Sequence, residues 1–299
     1  MQSKQAQIDN CYIHYIEICD CKSPKGTIVF LHGFPENWRT WRHQLQYFSK
    51  NYRVIAPDLP GYNQSSKPHE IEFYQVTNLI DVMSRFIRFV AEDKPVTLVA
   101  HDWGGAIAWP LVAFHAELFS RLVILNASHP STFTREMMNN PQQRENSGYI
   151  HQLIASDAVA NIKLNDYKFL LEMFLDENGQ SVLTPNEIIE YQESWRMAGT
   201  LDAMLNYYRA MPQLAPTHTN GHANGPVTEL QNMKIPNINI KVNTLVLWGM
   251  LDLAFVPEVL DGLQSYVQDL EIVRFNKANH WLHHQFPELV NAQIERFIG

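Results

Sequence analysis

The sequence predicts an α/β fold: a mainly parallel sheet with helices on both faces, interrupted by a helical insertion. Three observations carry this. Short β-branched, apolar runs recur along the chain, and most are separated by stretches long enough for a helix. One of them, at 96–100, runs straight into a glycine-containing helical segment. Between residues 125 and 244 the rhythm stops, with no comparable strand run and several helical segments instead.

Taken in order, residues 10–20 alternate well enough for a hairpin strand at a sheet edge. The buried strands then read 27–31 (TIVFL), 52–56 (YRVIA), 96–100 (VTLVA), 122–125 (LVIL), 244–248 (TLVLW) and 270–275 (LEIVRF). The insertion holds helical segments near 166–175, 185–197 and 201–211. This divides the chain into a first part of the core at 1–130, a helical cap at 131–235, and a second part of the core at 236–299. The stretch 212–226 is rich in Pro, Gly, Asn and Thr and reads as a surface loop, so His218 and His222 are loop residues rather than metal ligands. A last helix spans 287–298.

Composition bounds what such a fold serves. A chain of 299 residues can bury one large core, or one core with a smaller appended domain. With 45% hydrophobic and 18% charged residues, it has an ordinary soluble globular composition. A net charge of −8 argues against nucleic acid or an anionic membrane surface as the main partner. No apolar run nears the ~18 residues of a membrane helix. Residues 1–10 are polar and lack the apolar core of a secretion signal. Cys11, Cys19 and Cys21 make a poor disulfide framework and too small a metal ligand set. They read as free thiols in a reducing compartment, the cytoplasm. Self-association is left open.

The chemistry centres on residues 98–109, LVAHDWGGAIAW. A strand that turns directly into a helix pushes the residue at the turn out above the carboxyl end of the sheet, where open α/β sheets put their chemistry. Here that residue is Asp102. Taken alone it is also a good helix N-cap. A carboxylate in place of the serine of a G-x-S-x-G elbow argues for attack on a saturated carbon rather than acyl transfer. In LHGFP (31–35), a backbone amide at Phe34 can join that of Trp103 as an oxyanion hole. His280, in NKANHWL after the last strand, falls on the same edge as Asp102 and is the candidate base. His283 and His284 follow in the connection and read as bystanders. The orienting acid is Asp252, in WGMLD after the 244–248 strand. The competing strand end carries Asn126, which is no acid.

These motifs, HGFP at 32–35, DLPGYNQS at 58–65, HDWGG at 101–105, WGMLD at 248–252 and NHW at 279–281, resemble the epoxide hydrolase branch of the α/β-hydrolase superfamily. The resemblance covers nearly the whole chain, and its order of nucleophile, acid and histidine is the one such hydrolases use. It implies two cap tyrosines that hydrogen-bond and protonate the epoxide oxygen. LNYYRAM (205–211) is similar to the family's second-tyrosine helix and points to Tyr208, with Tyr207 facing elsewhere. NSGYIHQ (146–152) is similar to the early cap helix and points to Tyr149, with His151 as the fallback. The implied activity is hydrolysis of an apolar epoxide to a diol through an aspartyl ester. Water is the second reactant, and neither cofactor nor metal is required. Trp103, Phe34 and His151 would also line the substrate pocket. Haloalkane dehalogenases share the aspartate, acid and histidine, but need a second halide donor where this chain has Phe34. A binding protein that has kept the pocket and lost turnover is the reading from another class.

Overall fold

The computed structural model describes residues 1–211 and 233–299. One sheet is built from β1 (Gln2–Ile8), β2 (Cys11–Ile18), β3 (Thr27–Leu31), β4 (Arg53–Pro57), β5 (Val96–His101), β6 (Phe119–Leu125), β7 (Thr244–Gly249) and β8 (Leu270–Phe275). The order across it is β1-β2-β4-β3-β5-β6-β7-β8. Pairing is antiparallel for β1–β2 and β2–β4 and parallel from β4 to β8. Where the sequence reading found a single edge strand over 10–20, the structure has a hairpin. β1 is too polar to register as a strand by hydrophobicity, because only Ala6 and Ile8 face the core while its backbone pairs along its whole length with β2.

Around the sheet lie α1 (Arg42–Phe48), α2 (Val76–Ala91) and α3 (Trp103–Phe114). Among the described residues, seven helices follow between β6 and β7: α4 (Pro130–Asn139), α5 (Pro141–Asn146), α6 (Ile150–Ile154), α7 (Ala158–Lys163), α8 (Lys168–Glu172), α9 (Pro185–Arg196) and α10 (Thr200–Arg209). The chain ends with α11 (Leu282–Gln285) and α12 (Pro287–Ile298). The loop at 212–226, with His218 and His222, lies outside the described residues. Among the described residues no helix is long and apolar enough to cross a membrane.

The central strands are apolar along most of their length because both faces are covered. Val29, Leu31, Leu98 and Ala100 share a core with Leu79, Met83 and Phe86 of α2 and Ile107 and Leu111 of α3. Their neighbours Ile28, Phe30 and Val99 pack on the other face with Leu45 and Phe48 of α1 and Val290 and Ile294 of α12. The DLPGYNQS stretch buckles loops beside the sheet. Buried Asp58 accepts the Trp38 amide at 3.1 Å and the Asn63 side-chain amide at 2.9 Å, and pairs with His14 at 2.6 Å. The inserted helices are fastened to the core by buried polar tips of large aromatics. Trp195 Nε1 donates to the Pro35 carbonyl, and Tyr207 Oη to the Pro60 carbonyl, each at 2.7 Å. Cys11, Cys19 and Cys21 are free thiols.

Candidate active site

β5 ends at His101, and the chain enters α3 through Asp102 at φ 49°, ψ −120°. This is a backbone region that residues with a Cβ rarely adopt, and it holds the carboxylate clear of the helix. Two glycines let the turn pack. A Cβ on Gly104 would lie 2.4 Å from the Leu31 carbonyl oxygen, and one on Gly33 would lie 2.3 Å from Asp102 Cβ. Gly104→Ala should therefore cost more than the ~1–3 kcal/mol of ordinary overpacking, because a strand carbonyl cannot swing aside. Thermal unfolding measures it, and an unchanged Tm would contradict this packing.

The two oxygens of Asp102 are differentiated. Oδ1 accepts the Phe34 amide at 2.7 Å. Oδ2 lies 3.6 Å from His280 Nε2. Trp103 follows as the first residue of α3, so its amide is one of the helix's unpaired N-terminal donors. On the far side of the ring, His280 Nδ1 donates to Asp252 Oδ2 at 2.8 Å, which fixes the tautomer. Asp252 Oδ1 accepts the amides of Ala254 at 2.7 Å and Phe255 at 3.2 Å. Asn126 completes this network: its Nδ2 donates to Asp252 Oδ2 at 2.5 Å while its Oδ1 accepts the Gly249 amide at 2.7 Å. It holds the acid from the neighbouring strand end. The polar residue closing the β6 run was the available signal.

Electrostatics set the protonation states. Burial alone would lower the pKa of His280, but the charge of Asp252 and its contacts with Asp102 outweigh it and lift the imidazole to about 10. Burial likewise pushes Asp102 up, and the His280 hydrogen bond and charge reverse that, leaving its carboxyl below the ordinary value.

Tyr149 and Tyr208 line one cavity with Asp102 and Trp103, of about 660 Å³. Tyr208 stands edge-on to Phe34 at 5.0 Å and to Trp103 at 5.3 Å, with the Tyr149 ring 6.4 Å away. Burial first, then nearby negative charge including that of Asp102, raises both phenols above their usual value. Both therefore keep their protons. Tyr207 faces away, toward Pro60.

Three expectations need correction. His151 is not in the wall of the Asp102 cavity. It lines a separate cavity of about 350 Å³ with residues of α6, α7 and α8, because two helical steps from Tyr149 turn it roughly 200° around the axis. The Phe34 ring does not line the cavity either; it backs Tyr208, and its contact with Asp102 is through the amide. His283 and His284 are not bystanders in a connection but are buried against Glu36. Thr40 Oγ1 donates to Glu36 Oε1 at 2.5 Å and lies 2.6 Å from His283 Nε2 and 2.9 Å from His284 Nε2. His101 Nε2 donates to the His280 carbonyl at 3.0 Å, and its Nδ1 sits 3.3 Å from Glu36 Oε2. Glu36 thus ties the loop carrying the Phe34 amide to the loop carrying His280. Its carboxyl is held well below the usual range: burial opposes ionisation, but the surrounding histidines prevail. Among the described residues, Glu36, His101 and His283 are the one group with metal-ligand spacing, their ligating atoms lying within 4.8 Å of one another.

A family model for the alpha/beta hydrolase fold matches residues 26–287, in agreement with the sheet order and the elbow, and the chain is an α/β hydrolase. It is 32% identical to "Epoxide hydrolase 3" of Xenopus tropicalis, over 95% of this chain and 74% of that protein. It is 31% identical to "Epoxide hydrolase 2" of Caenorhabditis elegans, over 99% and 79%. Among solved structures it resembles an epoxide hydrolase from hot-environment metagenomes, with TM-score 0.87 and 34% identity over 100% of this chain and 98% of that one. The chain belongs to the epoxide hydrolase family.

Proposed function

We propose that this epoxide hydrolase opens a neutral, apolar epoxide to a vicinal diol in two covalent steps, with Asp102 as nucleophile. The observation that carries the reading is a carboxylate held on a strained turn between an amide and an imidazole, beneath two phenols kept protonated. In the first step an oxygen of Asp102 attacks an epoxide carbon, the ring C–O bond breaks, and Tyr149 or Tyr208 gives its proton to the leaving oxygen. A serine hydroxyl would be a poor nucleophile toward such a carbon.

Ester formation then switches the base on. Alkylated Asp102 has no charge, so one of the two influences that lift His280 to about 10 disappears. The imidazolium releases its proton, which restores the phenol that lost one. Neutral His280, oriented by Asp252, takes a proton from water, and the hydroxide attacks the carbonyl carbon of Asp102. The amides of Phe34 and Trp103 hold the oxyanion, and collapse releases the diol. The cycle closes with Asp102 ionised and His280 protonated, as it began. We assign the inserted helices, residues 131–235, the role of a cap that brings Tyr149 and Tyr208 over the nucleophile and excludes water. Asp102 is the sole charged residue in the described cavity wall, which favours uncharged substrates. The three free thiols favour a reducing compartment such as the cytoplasm.

The test offers the purified protein styrene oxide and, separately, a 1-bromoalkane. Diol release from the epoxide with no bromide from the haloalkane is the expected result. Bromide release without diol would move the chain to dehalogenation, and no product with an intact fold would favour a silent binding protein.

A further inference from the structure

Resting on the epoxide reading, we infer that the substrate carries one long, linear apolar arm, which lies in a slot along α3 and reaches solvent at Phe114. The cavity that begins at Asp102 follows a single face of this helix: Ala106, Pro110 and Phe114, spaced by four residues, all line it. At 1.5 Å of rise per residue these three side chains mark out about 12 Å. The lining also includes Val76, Thr77 and Ile80 of α2. Phe114 both lines the cavity and is 67% exposed, which places it where the cavity wall meets solvent. Gln75 and Thr77 at the start of α2 line it and are exposed as well, so the slot is open at this end. The near end holds the reacting groups.

A slot of this shape reads length. Carbon–carbon bonds of about 1.5 Å at angles near 111° advance roughly 1.25 Å per carbon along an extended chain, so the slot spans about ten carbons. Each buried methylene should contribute about a fourfold gain in binding. Because the arm is remote from the breaking bond, it is held equally in ground state and transition state, so the gain belongs in KM and leaves kcat flat.

The experiment measures kcat and KM for straight-chain terminal epoxides with arms from two to sixteen carbons (about two to sixteen, bracketing the length estimated from the helix rise). The expected result is a KM that falls severalfold per added carbon until the arm reaches about ten, then levels off. Phe114→Ala, at an exposed position, should erase the last few increments and leave short-arm substrates unchanged. Thr77→Trp, which narrows the mouth, should bring the plateau to shorter arms. If epoxides are turned over with a KM indifferent to arm length, the slot is refuted and the epoxide reading stands. The same holds if KM falls with length but neither variant alters the series. If no epoxide is turned over, both readings fall together.

Discussion

His280→Gln, mixed with styrene oxide, should accumulate protein heavier by the mass of one whole epoxide, and Asp102→Ala should show no such gain. The glutamine keeps size and polarity but cannot accept a proton from water, so ester hydrolysis should slow by about 10²–10⁴, the usual worth of a general base. Ester formation uses the carboxylate and the phenols, and it should persist. Loss of the imidazole removes the group that holds Asp102 below its ordinary pKa. Adduct formation in the variant should therefore require a higher pH than in the parent, since it needs the ionised acid. In the parent enzyme, the hydrolytic step should accelerate as pH rises through the lowered pKa of His280 in the ester, where neutral imidazole becomes the majority. Intact mass spectrometry after rapid mixing reads the adduct and a pH series reads the sign. An adduct that survives Asp102→Ala would sink the assignment of the nucleophile.

Replacing both phenols, Tyr149→Phe with Tyr208→Phe, should slow ester formation by about 10²–10⁴, because the ring oxygen would leave as an unprotonated alkoxide. Either single substitution should do less, since one donor remains. Hydrolysis of an ester once formed should change little, which separates loss of proton donation from general damage to the site. Single-turnover kinetics resolve the two steps. Ester formation within a few-fold of the parent in the double variant would mean that the proton comes from elsewhere, and the cap tyrosines would lose their role. Asn126→Ala tests the support of the acid. It leaves Asp252 Oδ2 without one of its two side-chain donors, and is expected to slow hydrolysis more than ester formation.

Much of this was legible in the chain. The parallel strands announced themselves because burial on both faces makes them largely apolar, and their ends followed from the residues that break such runs. The strand-to-helix turn at Asp102 was readable because its geometry demands small residues at fixed offsets, and Gly104 meets strand carbonyls at distances no side chain tolerates. The polar strand β1 was not readable, since what holds it is backbone pairing with β2, which carries no side-chain signature. Glu36 and the two histidines at 283 and 284 were also missed. A buried charge looks like any surface charge in a sequence until folding brings its partners together across nearly 250 residues.

The sequence by itself determined the fold class, the turn that exposes Asp102, and the chain order of Asp102, Asp252 and His280, an order that epoxide hydrolases and haloalkane dehalogenases share. Those depend on local pattern and on the ends of strands. Tertiary structure alone decided that Tyr208 and Tyr149 share a cavity with Asp102 while His151 does not, and that Asn126 supports the acid. It also decided that the cavity runs along α3 to Phe114. Which side chains meet across a cavity depends on how separate helices pack, and spacing along one chain does not encode that.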